Sequence, residues 1–254
     1  MEKRFGITGM PVAHSQSPAL FQAAYHGKYS YELLPASTSE EALQLFREKG
    51  LSGMNVTMPL KTSIVGLIDV LSDEAKWLQS VNTIRLINGK LYGNNTDIEG
   101  VLGALIEAGV EVNRSSCLVL GAGGAGRAAA YALDNAGTSV AMANRSTTWV
   151  EATPRLFRVD ALSLDEAVQL SRAYRVIVNT LPAGTGIAQR LPLHSRQILL
   201  DADYVNKPML EACRQAGTKY IDGLRWLVHQ AIPAYRLFTD EAPDREAMTQ
   251  LWKR

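Results

Sequence analysis

Apolar and polar positions along the chain fall into two successive alternating series. In residues 1–60, short apolar runs take turns with segments of helical period. "RFGITGM" reads as a first strand. "SPALFQAAYH" reads as a helix, with Ser17 as N-cap and Pro18 at the first helical position. "SYELLPA" is a second strand. "STSEEALQLFREKG" is a helix capped at Ser39 or a neighbour and ended by Gly50. "LSGMNVTMPLK" is a third strand running into a loop. This βαβαβ order predicts a mostly parallel sheet with helices on its faces. "SVNTIRLINGKLYGNNTD" then predicts a hairpin that turns at Asn88-Gly89.

The second series opens with "SCLVLGAGGAGRAAAYALDNAG", an apolar run, a glycine cluster and an alanine-rich helix ending near Gly137. "SVAMANR", "RVIVNTL" and "QILLDADY" are further strands. "LRWLVHQAIPAYRLFT" and "DREAMTQLWK" are closing helices. The fold class expected is α/β in two domains. Residues 1–99 form an α/β domain with a mostly parallel sheet, completed by the C-terminal helices of 225–254, and residues 100–224 form a Rossmann-type domain.

Composition narrows the function classes. The chain has 254 residues, 46% of them hydrophobic, which is enough for a sizeable core. A net charge of +1 argues against a broad nucleic-acid surface. No apolar run approaches the ~20 residues that span a bilayer, and the opening "MEKRFGITGM" lacks the apolar core of a signal peptide. Cys117 and Cys213 match no metal spacing. No metal or membrane is expected, and the expected setting is the reducing cytoplasm.

The glycine cluster has the strand–turn–helix context that gives G-x-G-x-x-G its meaning. Gly121 allows the tight turn, Gly123 lets backbone approach a pyrophosphate, and Gly126 lets helix and strand pack closely. The helix N-terminus offers N–H groups to phosphates. An acidic residue at the next strand end would select NAD. This chain carries Asn144, Arg145 and Ser146 there, and the planar guanidinium of Arg145 suits a 2′-phosphate. NADP is the expected cofactor.

Polar residues cluster at strand ends in the first half: Ser15 and Ser17; Asn55, Thr57 and Lys61; Asn82, Asn95 and Asp97. Two serines and a threonine could hold a carboxylate, while a lysine and an aspartate around one hydroxyl could manage its proton. Each also has a plain structural reading. Ser17 could serve only as a cap, Thr57 as a strand residue, Lys61 as a surface lysine and Asp97 as a cap for the helix starting near Ile98.

With "GMPVAHSQSP", "MNVTMPLK", "VNTI", "GNNTDIEG", "GAGGAGRAA", "ANRS" and "DGLRWLVHQA" in this order, the chain resembles the shikimate dehydrogenase family. The resemblance implies two domains with a cleft between them, and reversible NADP-linked reduction of 3-dehydroshikimate to shikimate, on the route to aromatic amino acids. It implies that Ser15 and Ser17 bind the substrate carboxylate and that Thr57, Asn82, Tyr204 and Gln230 add substrate contacts. Lys61 is the implied proton-transfer residue, with Asp97 beside it. Gly121, Ala122, Gly123, Gly124, Ala125, Gly126 and Arg127 are implied at the cofactor phosphates, with Asn144, Arg145 and Ser146 at its adenosine end, and with Ala202 and Arg225 as further cofactor contacts. A monomer or homodimer acting on a small molecule is expected.

Several positions depart from the family pattern. Phe21 and Gln22 replace His-Asn, Gln79 and Ser80 replace Gly-Ala, "NTLPAGT" replaces a stretch like "NATSxGM", and Arg225 replaces a glycine. Trp149 stands where a second arginine often follows the asparagine-arginine pair. A quinate/shikimate dehydrogenase using NAD and a non-catalytic binding relative are the alternatives. An unrelated two-domain enzyme such as methylenetetrahydrofolate dehydrogenase shares the glycine loop but leaves "HSQSP" with "NNTD" unexplained.

Overall fold

A computed structural model of the chain describes residues 3–146 and 159–251. Trp149 and the predicted closing residues beyond Leu251 lie outside the described residues. The chain forms two compact units, Met1–Thr96 with Leu227–Arg254, and Asp97–Trp226.

The first unit holds strands β1 (Arg4–Gly9), β2 (Ser30–Pro35), β3 (Gly53–Val56), β4 (Val70–Leu71), β5 (Thr83–Ile87) and β6 (Lys90–Asn94). They form one sheet in the order β2-β1-β3-β5-β6-β4. Only β5 runs against its neighbours, and the remaining pairings are parallel. The β5–β6 hairpin turns at Asn88 and Gly89, both with positive φ (49° and 77°), as a type I′ turn requires. Helices α1 (Ser17–Tyr25), α2 (Ser39–Glu48) and α3 (Asp73–Leu78) connect the strands.

One predicted cap falls elsewhere, and the cap expected at Ser39 or a neighbour is found at Thr38. Gln16, not Ser17, is the cap of α1, and its own side chain makes no capping bond. Ser17 is already inside the helix, and its N–H is taken by the Ser15 hydroxyl at 3.2 Å. Helix α2 is capped by Thr38, whose hydroxyl accepts from the Glu41 N–H. Strand β4 and helix α3 escape the sequence pattern, because each is too short to show a period.

Strand alternation sends successive side chains to opposite faces of this sheet. Leu34, Met54, Val56 and Ile84 enter a mainly aliphatic core with Leu43, Ile64 and a single aromatic ring, Phe46. The other face is aromatic. Phe5 stacks on Phe238 with centroids 5.2 Å apart, and Phe21 meets Tyr235 edge-on at 4.7 Å. Gly53 has to be glycine for this packing, since a Cβ there would come within 2.5 Å of the Phe238 ring.

The second unit begins with α4 (Asp97–Glu107), followed by β7 (Ser116–Leu120), α5 (Gly124–Asn135), β8 (Ser139–Asn144), β9 (Val159–Ser163), α6 (Leu164–Leu170), β10 (Val176–Asn179), α7 (Ile187–Arg190), β11 (Ile198–Asp201), α8 (Leu210–Ala216) and β12 (Lys219–Asp222). Its strands lie in the order β12-β11-β10-β7-β8-β9, all parallel. Strands β9 and β12, absent from the prediction, are partly exposed edge strands. The winding reverses between β7 and β10, the switch point of a doubly wound sheet.

Alternate residues of the central strands feed two cores in this unit. Cys117, Val119, Val178 and Leu200 pack with α4 and α5, while Leu118, Leu120, Ile177 and Leu199 pack with α6, α7 and α8. Both faces are thus covered, as a parallel sheet requires. The two cysteines serve this packing, and burial pushes both thiols up to about 12. Helix α9 (Gly223–Thr239) starts here and belongs to the first unit from Leu227 on, followed there by α10 (Arg245–Gln250). No helix among the described residues is long and apolar enough to cross a membrane.

Phe238→Ala removes the ring that fills the space above Gly53. The expected loss of stability in urea denaturation is about 3–5 kcal/mol, the usual range for a buried Phe truncation. A loss under about 1 kcal/mol would mean the ring does not hold α9 to the sheet.

Candidate active site

One edge of the first sheet gathers the polar residues. Ser15 and Ser17 follow β1, Thr57 and Lys61 follow β3, and Asn95 follows β6. Because β5 runs the opposite way, Asn82 at its start lies on the same edge. The loops after β1 and β3 are joined by the Met10 N–H donating to the Met58 carbonyl at 3.0 Å. The Thr57 N–H continues the ladder to the Thr8 carbonyl at 2.9 Å. The Lys61 carbonyl accepts from the Val81 N–H at 2.8 Å, so the Thr57–Lys61 turn is fastened at both ends. The Tyr235 hydroxyl donates to the Ser17 carbonyl at 3.0 Å, tying α9 to the start of α1.

Asn82 is the hub of this edge. Its amide nitrogen donates to the Thr96 hydroxyl and to the Gln230 carbonyl oxygen, both at 3.1 Å. Its amide oxygen accepts from the Thr83 hydroxyl and the Thr96 N–H, both at 2.9 Å. All its hydrogen-bonding capacity is therefore used inside the protein. Asn95 does similar work nearby, donating to the Ser80 carbonyl at 3.0 Å. Asp97 comes directly after Thr96, opens α4 and is buried.

In the second unit the glycine loop joins β7 to α5. Gly121 has φ 102°, open to glycine and strained for other residues, and a Cβ there would meet the Thr180 hydroxyl at 2.5 Å. A Cβ on Gly126 would collide with the Gly121 carbonyl oxygen. The first turn of α5 carries no acidic residue, and no side chain occupies its N-cap position. The N-terminal N–H groups of α5 are therefore not claimed by a side-chain cap. Arg127 lies half-buried beside the loop, its Nε donating to the Ala122 carbonyl at 3.1 Å, and burial pulls its pKa below the usual arginine value.

Asn144, Arg145 and Ser146 stand at the end of β8, with the Asn144 amide donating to the Ser146 carbonyl at 3.3 Å and Arg145 exposed. At the ends of β10 and β11, Asn179 donates to Asp201 at 3.0 Å. The second Asp201 oxygen accepts from the Met209 N–H at 3.1 Å. Asp201 is fully buried, and that desolvation raises its pKa. This pair closes the loop that carries Ala202 and Tyr204. Gly223 presses against that loop, since a Cβ there would lie 2.5 Å from the Asp201 carbonyl. Arg225 pairs with Glu107 of α4 at 3.1 Å, with both side chains about half exposed.

Thr83, Thr96, Thr180 and Asp201 organise these edges without being singled out by the sequence pattern. For the two threonines of the first unit a signal is present, "VNT" and "NNTD". No local signal links Asn82 to a glutamine 148 positions away. Among the described residues no group of three His, Cys, Asp or Glu side chains could hold a metal ion.

A family model for the shikimate dehydrogenase substrate binding domain matches residues 7–84. The whole chain is similar to the shikimate dehydrogenase (NADP(+)) of Pyrococcus abyssi, at 34% identity over 98% of this chain and 97% of that one. The chain belongs to the shikimate dehydrogenase family. A second member of the shikimate dehydrogenase family, from Aquifex aeolicus, is 35% identical over 92% of this chain and 90% of its own length. Among solved structures, the shikimate 5-dehydrogenase of Thermus thermophilus in complex with NADP(H) and shikimate superposes with a TM-score of 0.82. It is 33% identical, covering 98% of this chain and 97% of that one. Against the family pattern, Gln79 takes a left-handed conformation (φ 47°) at the end of α3, where glycine would be unstrained. Its side-chain amide compensates by donating to the Lys76 carbonyl at 2.7 Å.

Asn82→Ala strands the buried Thr96 N–H and Thr83 hydroxyl. The expected destabilisation is about 1–3 kcal/mol, seen as a lowered midpoint in thermal or urea unfolding. An unchanged midpoint would show that other groups satisfy both donors.

Proposed function

We propose that this chain is an NADP-dependent shikimate dehydrogenase that reversibly reduces 3-dehydroshikimate to shikimate. The observation that carries the reading is the gathering of Ser15, Ser17, Thr57, Lys61 and Asn82 on one sheet edge, in a chain whose second unit has dinucleotide-binding topology. A monomer or homodimer in the cytoplasm is part of the same proposal.

The residues present fit NADP. A Cβ would fill the close approach at Gly121 and Gly126, no acid opposes phosphate in the first turn of α5, and Arg127 flanks the loop. Asn144, Arg145 and Ser146 offer donors and a cation, and no carboxylate, for a 2′-phosphate. When bound, the nicotinamide supplies hydride chemistry, and the protein supplies orientation and proton handling.

The hydroxyls assigned to the substrate carboxylate are equipped to donate. Ser15 accepts from the Ser17 N–H and keeps its own hydroxyl hydrogen. The Ser17 and Thr57 hydroxyls have no side-chain bond to the protein among the described residues. Gln230 and Tyr204 are assigned to the ring hydroxyls, with Asn82 holding Gln230 through their 3.1 Å hydrogen bond, and Ala202 and Arg225 are assigned to the cofactor. In reduction, Lys61 gives a proton to the oxygen that becomes a hydroxyl; in oxidation it takes that proton back. Asp97 accepts a hydrogen bond from the same hydroxyl and orients it.

Lys61→Ala is expected to lower kcat for shikimate oxidation by about 10²–10⁴-fold while shikimate binding by calorimetry stays within about threefold. Turnover like the wild type would remove Lys61 from proton transfer. Arg145→Ala is expected to raise KM for NADP by about tenfold or more, the loss of one charge-assisted contact, and to leave KM for NAD unchanged. Assays with shikimate and quinate, each with NADP and NAD, check both variants, and equal effects on the two cofactors would overturn the 2′-phosphate role.

A further inference from the structure

A one-way chain of hydrogen bonds runs through the first unit to Gln230. Its direction follows from two backbone groups whose roles are unambiguous. The Thr96 N–H can only donate, so the Asn82 group facing it at 2.9 Å is the amide oxygen. The Asn82 nitrogen therefore faces Gln230 at 3.1 Å, and the Gln230 group that receives it is the oxygen. The Asn82 carbonyl can only accept, so the Asn55 group facing it at 3.2 Å is the amide nitrogen. That nitrogen also reaches the Thr83 hydroxyl at 3.2 Å, and Thr83 passes its hydrogen to the Asn82 oxygen at 2.9 Å. The Asn55 oxygen then takes the hydrogen of the Tyr31 hydroxyl at 2.8 Å.

We infer that Tyr31, Asn55 and Thr83 are positioning residues that, through Asn82, hold the Gln230 amide with its nitrogen free, making Gln230 an obligatory hydrogen-bond donor to an acceptor oxygen of the substrate. The Gln230 nitrogen has no protein partner among the described residues. Rotating the Gln230 amide by half a turn would set its nitrogen against the Asn82 nitrogen, and rotating Asn82 would set its nitrogen against the Thr96 N–H. Neither rotation is open without breaking the chain. The inference rests on the proposed function for the identity of the substrate and on geometry for the polarity.

Gln230→Glu tests the polarity, because it keeps an oxygen for Asn82 and exchanges the free donor for an acceptor. It is expected to raise shikimate KM and the calorimetric Kd by about tenfold or more. Values within about twofold of wild type would overturn the donor assignment. Thr83→Val tests the positioning. It is expected to raise KM about three- to tenfold with kcat within about twofold, and Thr83→Ser, which restores the hydroxyl, returns KM to the wild-type value. A lowered kcat at unchanged KM would show a structural role only and overturn the positioning claim. Should wild-type protein neither bind nor turn over shikimate, the proposed function fails by itself. The chain is then read from the side-chain amide hydrogens of Asn82 by NMR. Slow exchange that becomes fast in Thr83→Val supports the locked chain, and fast exchange in the wild type overturns it.

Discussion

The side-chain amide of Asn82 is the interaction on which the first unit depends. A buried amide is costly unless every donor and acceptor is met, and here all are met, twice by Thr96 and once each by Thr83 and Gln230. One side chain thereby fixes the start of β5, the segment leading to Asp97 and the C-terminal helix α9. Such a group admits few alternatives, so the edge that gathers Ser15, Thr57 and Lys61 acquires one geometry rather than an ensemble of similar ones.

The second unit is governed by steric exclusion instead. Gly121, Gly126 and Thr180 crowd into a space that no added methyl group could share, and this closeness draws the N-terminus of α5 up to the end of β7. The Thr180 hydroxyl donates to the Leu120 carbonyl at 2.8 Å and so seats the loop from below. Asn179 and Asp201 carry out the corresponding task one strand further along. The altered stretch "NTLPAGT" thus keeps Asn179 of the family pattern, and its Thr180, where that pattern has alanine, supplies the hydroxyl that seats the loop.

Long periodic segments and glycine punctuation make most of the fold legible in the sequence. The β7–α5 loop can be read because its glycines lie within one local strand–turn–helix. The I′ hairpin can be read because Asn88-Gly89 suits positive φ at both positions. Strand β4, with two residues, and helix α3, with six, are too short to carry a period. Ser17 misleads because a serine before proline resembles a cap, whereas here Gln16 adopts the boundary conformation and Ser15 supplies the hydroxyl. In the candidate site, residue types can be read but their pairing cannot. Gln230 is joined to Asn82, and Arg225 to Glu107, across separations that only the folded chain closes.

The discontinuity of the first unit bears on synthesis. Its aromatic face needs Tyr235 and Phe238, which leave the ribosome after the whole second unit, while Phe5 and Phe21 leave it before that unit. The second unit is continuous from Asp97 to Trp226 and can complete its fold earlier. While the second unit is being made, residues 1–96 therefore carry an open apolar surface. Folding during synthesis should run in the order second unit, then first, the reverse of the order in which their first residues emerge.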